Sequence, residues 1–224
     1  MDALVTPRLV LHPLTPAEAQ HIVEGRPWPG ARWAPDYPND GDRAGAGHFL
    51  EHCAATGNPQ PFGAYEIRLR EDGQAIGGAG FHGVPDERGQ VTIGYGLTPA
   101  MRGKGYASEA LRALLTFARG EGVASVKGDA DLGNTASQYV MAAAGMRFVG
   151  EDDRLRHYRI DWPAGRADAY ADGSGDCPGG RSDVAGADTA VEPGPSPQVP
   201  AARHPSCADA PGRTAFPRRR FPRP

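Results

Sequence analysis

The C-terminal part of this sequence contains few residues of the kinds that build a protein core. No leucine, isoleucine, methionine or tryptophan occurs after Trp162. Of the 60 residues from 165 to 224, 10 are proline and 8 are glycine, and such a composition cannot bury enough apolar surface to offset the entropy lost on ordering. The sequence therefore predicts one folded domain over residues 1–163 and a disordered tail, rich in Pro, Gly, Ala and Arg, over residues 164–224.

Cysteine, an excess of one charge and long apolar runs are also scarce. The three cysteines, Cys53, Cys177 and Cys207, have no spacing typical of a disulfide framework or a zinc site. A formal net charge of -3 provides none of the basic excess that nucleic-acid or membrane binding requires. No apolar run reaches the ~18 residues of a membrane span, and residues 1–14 lack the pattern of a signal peptide. These absences predict a cytoplasmic protein, as a monomer or a homodimer, that binds no metal, nucleic acid or membrane.

Within residues 1–163, apolar residues follow a helical period in some segments and a strand period in others. Thr15 and Glu18 form a capping box for a first helix, and Asp42 is predicted to cap a second helix, whose apolar stripe includes Cys53. The predicted strands are residues 8–12, 65–70, 75–81, 91–97, 124–130, 146–151 and 155–162, and the later helices are residues 110–118 and 134–144. This order predicts an α/β protein with helices on both faces of a mixed sheet, because each helix needs a sheet face to cover its apolar stripe.

The loop over residues 25–41 carries an unusual number of aromatic side chains. Trp28, Trp33 and Tyr37 provide more apolar surface than a connecting segment requires. Two interpretations stay open at this point: the three side chains form one wall of a substrate site, or they close the edge of the core.

Two glycine-rich runs are candidates for a phosphate-binding loop. Residues 78–83 match the dinucleotide pattern G-x-G-x-x-G, but a turn and a further strand follow them instead of the required helix. We therefore interpret these glycines as strand-packing or bulge positions. Residues 102–107 lie between a strand and a helix, where unpaired backbone N–H groups and the helix dipole favour an anion. Their sequence is not a Walker loop, so an anion cradle of another kind is predicted.

The residues of this cradle, together with a later segment, resemble a known enzyme family. Arg102-x-x-Gly105-x-Ala107 is similar to the (Gln/Arg)-x-x-Gly-x-(Gly/Ala) loop of the GCN5-related N-acetyltransferases (GNAT), and residues 94–110 resemble the RimJ/RimL-like branch that acetylates the N-termini of ribosomal proteins. The same order continues at residues 134–137 and 145–148, so the resemblance spans about residues 6–163. It implies the GNAT fold, with a mostly antiparallel sheet of about seven strands that is splayed in the middle.

The resemblance also implies which residues hold acetyl-CoA as the cosubstrate. In the family, a strand backbone holds the pantetheine arm, the loop after it holds the pyrophosphate, and a later helix contacts the arm. Carried over to this sequence, the cofactor-binding residues are Tyr95, Gly96, Leu97, Arg102, Gly103, Lys104, Gly105, Tyr106, Ala107, Ser108, Asn134 and Ser137. Asn134 and Ser137 are three residues apart and share a helix face, which Met141 is predicted to continue.

The reaction implied by the resemblance is direct attack of a neutral amine on a thioester, without a metal or a covalent enzyme intermediate. Many relatives have a tyrosine at the position of Met141 that protonates the leaving thiolate. Here Ser137 is the candidate donor, unless it only forms a hydrogen bond to the cofactor arm. Relatives in this branch often have a glutamate at the position of Thr92. Its absence makes Glu66 and His82 the candidate bases, unless both are solvated strand residues.

Two functions follow from these residues. The first is an N-acetyltransferase that acts on a primary amine, either the α-amine of a protein or peptide or a small-molecule amine. An α-amino group has a pKa of ~7.7–8.0 and a lysine ammonium ~10.4, so the missing glutamate favours acceptors of low pKa, which need a weaker base. The alternative is a catalytically silent acyl-CoA-binding module, which the identities of Thr92 and Met141 support.

Overall fold

Residues 2–162 form eight strands and four α-helices in the computed structural model, which describes this part of the chain. The strands are β1 (Leu4–Val5), β2 (Leu9–Pro13), β3 (Ala64–Leu69), β4 (Ala75–Phe81), β5 (Gln90–Leu97), β6 (Ser125–Asp131), β7 (Arg147–Glu151) and β8 (Leu155–Asp161). The helices are α1 (Pro16–Glu24), α2 (Asp40–Thr56), α3 (Tyr106–Gly120) and α4 (Thr135–Ala143). The predicted tail, residues 164–224, lies outside the described residues.

The strands form one mixed sheet in the order β1-β2-β3-β4-β5-β6-β8-β7. All neighbouring strands are antiparallel except β5 and β6, which pair in parallel only from Gln90 to Thr92. Beyond Thr92 the two strands have no further paired residues, so the sheet is splayed along the second half of β5. The predicted α/β fold with a splayed, mostly antiparallel sheet is confirmed. The additional strand is β1, which has only two residues.

Helices α2 and α3 cover opposite faces of the central strands. Asp42 of α2 lies next to Gly78 of β4, whereas the ring of Phe81, on the same strand, packs 6.2 Å from the ring of Phe117 in α3. Positions 78 and 81 face opposite sides because side chains alternate along a strand. The predicted apolar stripe of α3 is fully inside the core: Ala110, Leu111, Leu114, Leu115 and Ala118.

The N-terminus of α2 differs from the sequence prediction. Asn39, not Asp42, is the N-cap, and its side-chain oxygen accepts hydrogen bonds from the N–H groups of Gly41 and Asp42. Asp42 occupies the third helical position and its Oδ2 accepts from the Asn39 N–H at 2.9 Å. The two residues form a reciprocal capping box, so the helix begins earlier than predicted and Asp42 becomes an interior residue of the first turn.

Glycines in α2 give a test of helix stability that is separate from function. A Cβ at Gly47 would have no atom within 4 Å, whereas one at Gly41 would lie 3.1 Å from the capping oxygen of Asn39. We expect Gly47→Ala to stabilise the protein by about 0.5–1 kcal/mol, since glycine loses the most backbone entropy in a helix. Thermal unfolding should show a Tm raised by roughly 1–4 °C, with no gain for the control Gly41→Ala. A lower Tm for Gly47→Ala would contradict this prediction.

Candidate active site

The turn between β5 and α3 presents a row of backbone donors. After a single 3-10 turn at Pro99–Met101, Gly103 and Gly105 adopt left-handed conformations with φ of 74° and 80°. Among the described residues, no acceptor is present for the N–H groups of residues 103–108. Arg102 and Lys104 are exposed beside them. Six unpaired donors at a helix N-terminus, with two cations, form an anion site of the kind that the sequence predicted.

Arg8 and Glu109 hold this turn against the edge of β2. Glu109, in the first turn of α3, accepts hydrogen bonds from the Arg8 N–H at 2.9 Å and from the Thr6 hydroxyl at 2.7 Å. The Arg8 guanidinium donates to Glu109 at 2.7 Å and to the Lys104 carbonyl at 2.9 Å, and it lies 4.6 Å from the centre of the Tyr106 ring. Although partial burial opposes it, hydrogen bonding from Thr6 and Arg8 keeps the pKa of Glu109 below its usual range. The turn is therefore braced by a charged cluster.

The splayed edge of β5 offers further unpaired backbone groups. Thr92 accepts from the His82 N–H and Thr98 donates to the Ile76 carbonyl, both at 2.9 Å, so the even-numbered residues of β5 bond to β4. The odd-numbered residues, including Tyr95 and Leu97, direct their backbone groups to the gap. There the Leu97 carbonyl accepts a hydrogen bond from the Arg102 guanidinium at 3.1 Å. The resemblance included Gly96 among the backbone contacts to the cofactor. In the structure the N–H and C=O of Gly96 face β4 and not the gap.

Tyr95 connects the gap to the first turn of α4. Its hydroxyl donates to the Ser137 carbonyl at 3.0 Å, and burial raises the pKa of Tyr95 to about 12. Asn134 caps α4 by accepting from the Ser137 N–H at 3.1 Å. Met141 lies one helical turn after Ser137 in α4. It is buried, and a Cβ on Gly128 would lie 3.0 Å from its sulfur, so Met141 fills the space that Gly128 leaves in the core.

A cavity of about 410 Å³ lies between α2 and strands β3–β5, beside the gap. Its polar lining includes Tyr37, Asp42, His48 and His82, and its apolar lining includes Phe49. One side is formed by backbone without side chains, at Gly78, Gly80, Gly94 and Gly96. A ligand in this cavity can therefore approach the strands closely while contacting ionisable groups of α2 and β4.

Asp42 is the buried carboxylate of this cavity. Neighbouring groups pack around Asp42, and only 8% of its surface is exposed. A Cβ on Gly78 would lie 3.2 Å from Asp42 Oδ1, and one on Gly96 would lie 4.0 Å from it. Burial raises the pKa of Asp42 to about 6, and the charge of Glu66 acts in the same direction. Hydrogen bonds from the Asn39 and Gly78 backbone and the charge of Arg102 act against them. Sequence reasoning missed this residue because it treated Asp42 only as a helix cap.

Of the two bases proposed from sequence, Glu66 is buried and His82 is exposed, so the interpretation as a solvated strand residue is wrong for Glu66 only. His82 lines the cavity, and its ring packs 5.3 Å from that of His48. Partial desolvation of the ring and the neighbouring His48 lower the pKa of His82. Glu66 is 1% exposed, pairs with Arg68 and does not line the cavity. Burial raises the pKa of Glu66, and the hydrogen bond from Arg68 opposes that shift.

The aromatic loop before α2 combines the two roles that the sequence left open. Only Tyr37 lines the cavity. Trp33 packs edge-to-face 5.4 Å from the Tyr37 ring, and Trp28 packs in the same way 5.9 Å from Trp33. Trp33 also forms an isolated bridge with Ala75 at the start of β4. The tryptophans therefore close the edge of the core and support Tyr37 as a cavity wall.

Comparison with known proteins decides the family of this chain. Residues 8–147 match the family model described as an acetyltransferase (GNAT) domain, which is more than half of the chain. This chain belongs to the GNAT acetyltransferase family. It is therefore an acyl-CoA-dependent acetyltransferase. The predicted family is confirmed.

The GNAT relatives differ widely in sequence. The uncharacterized N-acetyltransferase YjdG of Bacillus subtilis (strain 168) is 26% identical over 124 residues, which are 55% of this chain and 74% of that protein. A GNAT-family acetyltransferase from Bacillus anthracis superposes with a TM-score of 0.52 at 20% identity, over 71% of this chain and 98% of the other. Ribosomal-protein-S5-alanine acetyltransferase from Vibrio fischeri gives 0.52 at 13% identity, over 72% and 97%. At such identities these structures show a common fold.

Residues 2–162 of the acetyltransferase contain no group of three or more His, Cys, Asp or Glu side chains that could hold a metal ion. No helix in the described range is long and apolar enough to span a membrane.

Proposed function

We propose that this acetyltransferase moves the acetyl group of acetyl-CoA to a primary amine by direct attack in a ternary complex. The observation that supports this most strongly is that the cavity between α2 and strands β3–β5, which contains Asp42, lies beside the splayed edge of β5. The donor binds at the splayed edge and the acceptor in the cavity, so the thioester and the amine meet across Gly94 and Gly96. Holding both reactants in one geometry removes much of the entropy barrier to acyl transfer.

The backbone donors of residues 103–108 bind the pyrophosphate of the donor, and Arg102 and Lys104 add positive charge beside it. Hydrogen bonds to a charged group contribute about 1.5–3 kcal/mol each, so several of them in parallel support tight binding. The backbone groups of Tyr95 and the N–H of Leu97 in the gap bind the pantetheine arm, while the Leu97 carbonyl is held by Arg102. Acetyl-CoA supplies an activated acyl group with a thiolate as leaving group.

Ser137 is positioned near the arm by two hydrogen bonds to its backbone, from the Tyr95 hydroxyl and to the cap oxygen of Asn134. In the described part of the chain its own hydroxyl forms no hydrogen bond with a protein group. We propose that this hydroxyl donates to the sulfur as the C–S bond breaks. A contact of this kind stabilises the thiolate and would support proton transfer to it.

The acceptor is an amine of low pKa, such as a peptide α-amine or a small-molecule amine. The cavity contains no group that matches the basicity of a lysine side chain. A lysine ammonium is about 2.5 pKa units harder to deprotonate than an α-ammonium, which corresponds to roughly 300-fold in the neutral fraction at pH 7. A weak base is therefore sufficient for an α-amine and insufficient for lysine.

Thiol release from acetyl-CoA in the presence of an amine panel tests this proposal. The panel contains peptides with a free α-amine and blocked lysines, the same peptides with a blocked α-amine and free lysines, and small alkylamines. We expect amine-dependent release at pH 7, with kcat/KM for α-amines at least about 100-fold above that for lysine side chains. Tight binding of CoA without amine-dependent release on any acceptor would instead indicate an acyl-CoA-binding module.

A further inference from the structure

We infer that Asp42 binds the ammonium form of the acceptor and removes its proton before the amine attacks the thioester. This inference rests on the proposed function. It assigns the base to the first turn of α2, whereas Glu66 and Thr92 lie on strands β3 and β5 and His82 directly follows β4. The assignment follows from the position of the carboxylate, from the groups that surround it and from the weakness of the competing candidates.

The position of Asp42 allows it to reach an amine that lies against the strands. Its Oδ2 is fixed by the Asn39 N–H at 2.9 Å, while Oδ1 points toward Gly78 and Gly96. Asp42, Gly78 and Gly96 line the same cavity, and neither glycine has a side chain that would cover Oδ1 on the strand side. Gly96 is adjacent in sequence to Tyr95 and Leu97, whose backbone groups face the gap. An amine beside Oδ1 is therefore within one strand width of the splayed edge, about 5 Å.

The charged and titratable groups around Asp42 come from several parts of the fold. Tyr37 precedes α2, Glu66 lies on β3 and Arg102 follows β5. His48 of α2 and His82, which follows β4, line the same cavity. The charge of Glu66 is balanced by its pair with Arg68. The net effect of burial and of these neighbours is a pKa of about 6 for Asp42. The carboxylate is thus ionised at neutral pH and more basic than an ordinary aspartate, whose pKa is ~3.9.

The other two candidates are less suitable as bases. Glu66 does not line the cavity, and Arg68 occupies its Oε2. His82 lines the cavity, but its lowered pKa makes it a weaker base than a free imidazole, and a neutral ring provides no charge to attract an ammonium. Asp42 provides both the charge and the basicity.

The proton balance of the proposed step is complete. The ammonium transfers one proton to Asp42, and the neutral nitrogen then attacks the carbonyl carbon of the thioester. The C–N bond forms, the C–S bond breaks, and the nitrogen loses its second proton. The thiolate takes up one proton, and Asp42 releases the other to solvent, so the net products are the amide, free CoA thiol and one proton.

Asp42→Asn tests the inference with little change of shape. The asparagine oxygen can still accept from the Asn39 N–H, so the capping box is retained. For a peptide α-amine we expect kcat/KM to fall roughly 10²- to 10³-fold, the usual contribution of a general base. In the wild-type protein kcat/KM should rise with pH through about 6, as Asp42 ionises. In the variant this rising limb of the pH–rate profile should be absent, and kcat/KM should follow the titration of the amine itself.

An acceptor that needs no base provides the matched control. Arylamines and hydrazides are already neutral at pH 7, so Asp42→Asn should reduce their acetylation far less than that of the α-amine. The Kd for acetyl-CoA should stay within about 3-fold of the wild-type value. His82→Gln and Glu66→Gln should each retain the limb near pH 6. A merely structural role for Asp42 would lower the rates of all acceptors equally.

Three outcomes would overturn the inference or separate it from the proposed function. A wild-type limb near pH 6 that persists in Asp42→Asn, or one that disappears only in His82→Gln, excludes Asp42 as the base. If Asp42→Asn does not fold, the wild-type profiles decide, because the limb should be present with the α-amine and absent with the arylamine. If the wild-type protein acetylates no amine, the proposed function itself fails, whatever the variants show.

Discussion

Replacing Gly105 with valine should raise the Kd for coenzyme A at least about 100-fold. Gly105 has a φ of 80°, and a β-branched residue in this left-handed region is strained by roughly 1–3 kcal/mol. Its Cβ would also lie 3.4 Å from the Arg8 guanidinium. The turn relieves the strain by rotating its peptides, which points the N–H groups of residues 103–108 away from a common centre. Each misdirected donor loses about 1.5–3 kcal/mol, so two are sufficient for the expected change.

Isothermal titration with CoA measures this effect, and the other end of the same helix provides the control. Gly122 follows α3 with a φ of 78°, and a Cβ there would have no atom within 4 Å. Gly122→Val should therefore introduce a similar backbone strain and lose comparable stability, yet keep the wild-type Kd for CoA. Equal affinity losses in the two variants would mean that general destabilisation, not the cradle, is responsible.

Much of the fold follows from local sequence patterns, and the failures occur where the pattern is short or ambiguous. The apolar stripe of α3 and the alternation in β5 extend over enough residues to fix the type of element. Strand β1 has two residues, too few for any period, and exists through its pairing with β2. Asn39 and Asp42 are both good capping residues three positions apart, and sequence alone does not show which of them is the cap and which lies inside the cavity.

Some parts of the candidate site could likewise be predicted from the sequence, and others could not. The turn at residues 102–107 is contiguous, so its donors could be predicted from one segment between a strand and a helix. Arg8 and Glu109 are 101 residues apart, and no local signal indicates that they brace the turn. Helical spacing placed Met141 one turn after Ser137, but it did not indicate that the side chain would be fully buried. The absence of a side chain at Gly128, on another element, draws it into the core. Contacts of this kind depend on the packing of distant segments.

Replacing Gly77 with alanine should destabilise the folded protein by about 3 kcal/mol, at the upper end of the usual range for overpacking. A Cβ at Gly77 would lie 2.2 Å from the Gly96 carbonyl oxygen and 2.9 Å from the Leu97 Cα. Both atoms are backbone of the paired strand β5, so no side-chain rotation can relieve the contact. The strands must separate near the end of β5, where this strand forms the edge of the gap. Thermal unfolding should show a Tm lowered by roughly 6–12 °C.

The neighbouring Gly78 makes the prediction specific, because its Cβ would point to the opposite face. There the nearest atom is Asp42 Oδ1, at 3.2 Å, a contact that a small shift of the carboxylate can accommodate. Gly78→Ala should therefore unfold within about 2 °C of the wild-type protein but acetylate α-amines more slowly, with an unchanged Kd for CoA. The two adjacent glycines would then have different roles. Gly77 allows the strand packing that forms the donor site, and Gly78 leaves the carboxylate of Asp42 uncovered. A reversed pattern, in which Gly78→Ala loses stability and Gly77→Ala loses only activity, would contradict this division of the two faces.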